Sequence, residues 1–156
     1  MCKTQNLYVL HLAMVEDGSI TWDTSILSPQ LINKPCKIKV KQVVTEMRDG
    51  SANLLTAINL RVIHNIKTNA MTNFFSGSSN ILGFIDSYSV RNTATNHYVG
   101  FTSSDLELYA PNGLPNELIL NRVGTVPPAT DLNTIIDDAT LLWAVTLEVT
   151  INPDEN

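Results

Sequence analysis

The segment LLWAVTLEVTI, residues 141–151, constrains the fold more than any other stretch of the chain. Leu141, Trp143, Val145, Leu147, Val149 and Ile151 point one way, and Ala144, Thr146, Glu148 and Thr150 point the other. Side chains alternate faces along a strand, so this pattern makes one apolar and one mixed surface and predicts a half-buried strand. A helix would scatter the same residues around its circumference. A strand this long needs a large sheet to join.

Period two recurs elsewhere. In CKIKVKQVV, Cys36, Ile38 and Val40 alternate with Lys37, Lys39 and Lys41, until the adjacent Val43 and Val44 break the pattern as a bulge or sheet crossing would. TAINLRVIH sets Ile58, Leu60 and Val62 against Asn59 and Arg61, and SDLELYA sets Leu106 and Leu108 against Asp105 and Glu107. Further candidates are Leu7 to Met14, Ser19 to Trp22, Ile81 to Ile85, His97 to Phe101 and Glu117 to Val123. Turn signals separate them: Asp17-Gly18, Asp49-Gly50, Ser76-Gly77, Pro111-Asn112-Gly113 and Pro127-Pro128. Helical periodicity is confined to Asp131 to Ala139, with Asp131 placed to cap it.

An all-β domain follows. Long connections favour a single jelly-roll β-sandwich of two antiparallel sheets with about eight strands. An immunoglobulin-like sandwich is the competitor, but its Cys, Trp, Cys hallmark is absent. A jelly roll requires Leu7 to Met14 to pair antiparallel with part of Trp143 to Ile151. All 156 residues fit one such domain, with mobile ends at about 1–5 and 153–156.

Charged residues make up 16% of the chain and the net charge is −5. That balance leaves an unusually neutral surface and argues against specific nucleic-acid binding, which needs clustered cations. Lys37, Lys39 and Lys41 read as the solvated face of one strand. Cys2 and Cys36 allow one bridge at most, and reduced thiols are expected. The N-terminal residues do not read as a secretory signal, no run is long enough for a spanning helix, and no Asn-x-Ser/Thr acceptor occurs.

The search for reactive constellations returns little. His11, His64 and His97 share no metal-ligand spacing and read as histidines bonded at a sheet surface or edge. The histidine and glutamate set of a cupin, a Gly-x-Ser-x-Gly elbow and Gly-rich phosphate loops are all missing. Asp131, Asp137 and Asp138 flank LNTII without the order of a calcium loop, and read as a solvated acidic connection. Trp22, Tyr88, Tyr98 and Tyr109 are the aromatics available for a sugar platform, although core or interface packing is the ordinary fate of such rings. No enzyme, cofactor or metal emerges. The remaining oddity is IHNIKTNAMTNFFSGSSNILGFID, an Asn/Thr/Ser excursion in which Met71, Phe74 and Phe75 are candidate interface anchors, or else fold over the end of their own core.

The order of segments carries a resemblance. LYVLHLAM, ITWDTSIL, CKIKVKQVVT, INLRVIHNI, the excursion, SNILGFID, DLELYAPNGLPNELIL and WAVTLEVTI follow one another through about Leu7 to Ile151. This succession resembles the single jelly-roll penton and minor capsid proteins of eukaryotic double-stranded DNA viruses: nucleocytoplasmic large DNA viruses, virophages and polinton-like viruses. It departs from them where VEDGS replaces their S-R-D-R run. The resemblance implies a structural virion protein with no catalytic residues. It would assemble as a homopentamer at a vertex, or as a minor subunit beside major and other minor capsid proteins, after synthesis in the host cytoplasm or nucleus rather than secretion. The alternative is a jelly-roll binding module for carbohydrate or a receptor, with a cupin-type enzyme third.

Overall fold

The computed structural model describes residues 6–15, 18–48, 58–68, 81–84, 91–93, 97–102, 107–125, 134–136 and 141–151; in 47–48, 58–59, 81–84, 91–93, 97–102 and 134 it describes the backbone alone. The chain forms β1 (Asn6–Ala13), β2 (Ile20–Asp23), α1 (Thr24–Leu27), a 3₁₀ turn (Pro29–Leu31), β3 (Cys36–Arg48) and β4 (Ile58–His64). There follow β5 (Ile81–Phe84), β6 (Arg91–Thr93), β7 (His97–Thr102), β8 (Glu107–Ala110), β9 (Glu117–Thr125), β10 (Thr134–Ile136) and β11 (Trp143–Ile151).

These strands make two antiparallel sheets. The first runs β1-β11-β3-β7-β6, with β8 also on β3, and the second runs β10-β9-β4-β5, with β2 also on β9. Their main strands therefore follow the orders β1-β11-β3-β7 and β2-β9-β4-β5, the interleaving of two Greek keys that defines a jelly roll. The chain crosses between the sheets from β1 to β2, β2 to β3, β3 to β4, β5 to β6, β8 to β9 and β10 to β11, whereas β4 and β5, β6 and β7, and β9 and β10 pair with each other within one sheet. β1 pairs with β11 from Asn6 opposite Ile151 to Ala13 opposite Ala144, the antiparallel contact that the jelly-roll reading requires.

The core forms where the two inner faces meet. β11 alternates without fault, burying Trp143, Val145, Leu147, Val149 and Ile151, and β3 contributes Cys36, Ile38, Val40 and Val43. From the opposite sheet come Ile20, Leu60, Val62, Leu118 and Leu120. Each buried aliphatic side chain contributes about 1.5–3 kcal/mol relative to exposure, so the alternation is an energetic requirement.

Two sequence expectations are corrected. The break in β3 lies before the paired valines: Thr146 faces Gln42 while Leu147 faces Val40, so Lys41 is the extra residue of a bulge. It changes the phase of the strand, which is why Val40 and Val43, three apart, both point inward. The helix expected over Asp131 to Ala139 is not what its described part forms, because Thr134–Ile136 is the strand β10, paired with Arg122 to Gly124 of β9. Isoleucines 135 and 136 favour an extended backbone, and an open edge of β9 supplies its hydrogen bonds.

Among the described residues the α-helix that forms is α1, four residues long. Asp23 caps it, accepting from the Ile26 N–H at 3.2 Å and from the Ser25 hydroxyl at 2.6 Å. The 3₁₀ turn beyond it is locked to the β8–β9 connection, where Leu114 N–H donates to the Leu31 carbonyl at 3.0 Å. Gly113 makes this approach feasible. Its φ is +73°, and a Cβ there would lie 2.7 Å from the Leu31 carbonyl oxygen and 2.8 Å from the Lys34 nitrogen and oxygen. Gly113→Ala should therefore destabilise the fold by roughly 1–3 kcal/mol, read as a lower urea midpoint with an unchanged slope.

Candidate interaction surfaces

The outer face of the first sheet can be read row by row from its register. Leu7, Thr150, Lys37 and Tyr109 form one row, and Val9, Glu148, Lys39 and Glu107 the next. Beyond the bulge, His11 and Thr146 lie beside Gln42, followed by Ala13, Ala144 and Val44. One half is thus charged, with Lys41 and Glu148 3.7 Å apart in an exposed ion pair of little energetic weight. Lys37 and Lys41 are exposed and Lys39 half-buried, as expected for the open side of one strand. The other half is apolar. Ala13, Val44 and Ala144 line a depression of about 310 Å³ together with Met14, Leu142 and Trp143, and Glu46 stands at its rim.

Glu46 fixes that rim. Its N–H donates to the Leu142 carbonyl at 2.8 Å and its carboxylate accepts from the Leu142 N–H at 3.2 Å, which holds Leu142 with 57% of its surface exposed. Val15 stays 41% exposed, while Leu7 and Val9 on β1 are 56% and 50% exposed. Single exposed aliphatics need no explanation, and on this face His11 separates Leu7 and Val9 from the apolar depression.

The second sheet differs. Arg61 lies opposite Val123 and Arg122 opposite Val62, so the two arginines leave opposite faces of that sheet. Both are buried, at 1% and 0% exposure. Arg122 crosses the sandwich, donating to the Thr45 hydroxyl at 3.0 Å and sitting 5.2 Å from the centre of the Trp143 ring. Trp143 in turn donates its indole N–H to the Gly18 carbonyl at 2.7 Å. Arg61 and Val123 are buried on the outward side, so the outer face of this sheet is covered there. Burial pushes the Arg61 guanidinium down from its ordinary pKa. Neither arginine stood out in the sequence analysis. The available signal was parity, since Arg122 falls in step with Leu118 and Leu120, the inward residues of β9.

At the far end of the sandwich, a cleft of about 280 Å³ lies between Asn33, Asn65, Lys67, Asn112 and Asn116. Asn65 is built into the fold, its side chain accepting from the Ile119 N–H at 2.9 Å and donating to the Glu117 carbonyl at 2.8 Å. The other amides and the Lys67 ammonium offer donors and acceptors suited to a hydroxylated ligand.

Among the described residues the chemistry-bearing side chains do not converge. His11 is exposed on β1, 3.1 Å from the Thr146 hydroxyl, which matches the expected edge histidine. His64 departs from expectation: it is 4% exposed, inside the sandwich, and its Nδ1 accepts from the Ile66 N–H at 3.0 Å. Cys36 is a free buried thiol whose pKa burial pushes up to about 11, so it is a packing residue and not a nucleophile. Trp22 packs against the core while Tyr109 lies 39% exposed on the outer face, and the two form no platform. His97 and Tyr98 sit on β7, with only their backbone described. Cys2, Met71, Phe74, Phe75, Tyr88, Asp131, Asp137 and Asp138 lie outside the described residues. Among the described residues no group of three metal-ligating side chains occurs, and no helix is long and apolar enough to cross a membrane.

His64 makes stability depend on pH. Burial outweighs the bond to Ile66 and lowers its pKa to about 4. Between the unfolded value of about 6.5 and the folded one, the unfolded chain takes up a proton that the folded chain refuses. Stability should therefore fall as pH drops through this window, by about 3 kcal/mol from this one group. Urea titrations from pH 7 to 4 check the slope, and His64→Asn, which keeps an acceptor for Ile66, should remove most of it.

No family model matches the chain, and no curated protein or solved structure is matched by it.

Proposed function

We propose that this chain is a structural virion protein, a penton or minor capsid subunit that self-associates and contacts other capsid proteins in an icosahedral shell. The observation that carries the reading is the apolar depression on the outer face of the first sheet, lined by Ala13, Val44, Leu142 and Ala144, with the exposed Leu7 and Val9 beyond His11 on the same strand face. Burying such a surface against protein removes apolar area from water at about 25 cal/mol per Å², while the charged half of the same face supplies a polar border. Two further points support it: the jelly-roll strand order and the segment succession that resembles the capsid families. Met71, Phe74 and Phe75 remain candidate anchors for a neighbouring subunit on sequence grounds alone.

A second reading, a jelly-roll module that binds carbohydrate, draws on the cleft between Asn33, Lys67, Asn112 and Asn116. Amide side chains pair with vicinal hydroxyls, and Lys67 would suit an acidic substituent.

Light scattering coupled to size exclusion separates the two readings. The vertex reading expects a mass near five times 17.2 kDa, and Leu142→Asp, which places a charge in the apolar depression, should shift the population toward monomer without changing the circular dichroism of the fold. A monomer at all concentrations that binds glycans would replace the first reading with the second.

A further inference from the structure

We propose that β1 is a homotypic docking edge, whose free side pairs antiparallel with β1 of a second copy about a two-fold axis at Leu10. Among the described residues, β1 lies at the end of its sheet and pairs only with β11. Its sequence, NLYVLHLA, contains no carboxylate, lysine or arginine, no proline and no glycine, and its register with β11 runs without a bulge. Natural proteins protect exposed edges with lysine, proline, bulges or very short strands, because unpaired N–H and C=O groups recruit other strands. An eight-residue edge with none of these devices is built to be covered.

Hydrogen-bond geometry identifies the groups involved. Met14 N–H donates to the Trp143 carbonyl at 3.1 Å, continuing the ladder in which Ala13 faces Ala144. In an antiparallel pair, hydrogen-bonded positions alternate along the strand. Leu12, Leu10 and Tyr8 thus bond to β11, while the N–H and C=O of Leu7, Val9, His11 and Ala13 turn toward the free edge.

The same geometry selects the occupant. A second β1 must offer odd-numbered residues to odd-numbered residues, which leaves few registers. With the axis at Leu10, Leu7 faces Ala13 and Val9 faces His11, so all four residues on each strand are paired. Shifting the axis to Val9 strands Ala13. The strand carries no carboxylate, lysine or arginine, so no such like charges oppose one another, and the outer face gains the cross-strand pairs Leu7–Ala13 and Val9–His11. The contact is isologous and requires no second sequence. It rests on the reading that copies meet in an assembly, but not on the number of copies around a vertex.

Mixed-chain cross-linking tests the proposal, using full-length protein with Cys2→Ser. Chains carrying Val9→Cys and chains carrying His11→Cys are oxidised separately and together; Cys36 is buried and stays inert. Opposed residues of a hydrogen-bonded pair have Cα atoms about 5.5 Å apart, within disulfide reach, whereas Val9 to Val9 and His11 to His11 are offset by two residues and lie beyond it. Covalent dimers should appear in the mixture and not in either variant alone. Val9→Lys, which places a protective charge on the edge, should lower the yield in a His11→Cys and Val9→Lys mixture with Val9→Cys chains by tenfold or more. Absence of mixed dimers, or dimers in the single-variant samples only, overturns the two-fold at Leu10. A five-fold mass with no mixed dimer would refute the edge pairing and leave the capsid reading intact; mixed dimers that never exceed a pair would do the reverse.

Discussion

The pairing of β11 with strands on both its sides is the constraint on which the molecule depends. β1 and β3 flank it, so the last strand lies between the first and the third. None of the three can complete its ladder until residues more than a hundred positions apart have met. Closing so much chain before any ladder is rewarded makes folding slow and leaves the early strands with unpaired edges. The regular alternation of β11 compensates, because a slip of one residue would turn Trp143, Val145, Leu147, Val149 and Ile151 out to solvent. Register is therefore set by the core rather than by hairpin turns.

Trp143 extends that constraint across the sandwich. Its indole anchors the turn before β2 through Gly18, and its ring receives Arg122 from the opposite sheet, which also bonds to Thr45 of β3. A guanidinium in such a place loses most of its hydration, and is tolerable only while its bonds and the ring face compensate. Directional contacts of this kind hold the two sheets in one relative position, which apolar packing alone specifies less sharply. On the outside of the second sheet Arg61 and Val123 are covered, while Ile135, paired with Val123, is 51% exposed.

Much of the architecture was legible in sequence because period two is a strong signal when one face is buried. The long strands β3 and β11 and the lysine face of β3 follow from alternation, and the pairing of β1 with β11 follows from the jelly-roll topology. What escaped has specific causes. A four-residue helix such as α1 is too short for a helical period, and its Asp23 cap stands inside ITWDTSIL, which looks extended. β10 escaped because an acidic, capped run imitates a helix start, while an open edge of β9 decided the outcome. The bulge at Lys41 left its trace at Val43 and Val44, two residues downstream of its cause. His64 was read as a surface histidine because alternation alone does not say which polar residues a sandwich will enclose. The apolar depression was legible only as low charge; its position required the register that brings Ala13, Ala144 and Val44 into one row.

The central proposal is that β1, one of the sheet ends among the described residues, is covered together with its outer face by other copies. Residue-resolved amide exchange at low and high protein concentration tests it most directly. The N–H groups of Tyr8, Leu10 and Leu12, bonded to β11, should exchange slowly at both concentrations, while those of Leu7, Val9, His11 and Ala13 should exchange fast when dilute and become protected as concentration rises. Fast exchange of the second set at every concentration would contradict the account.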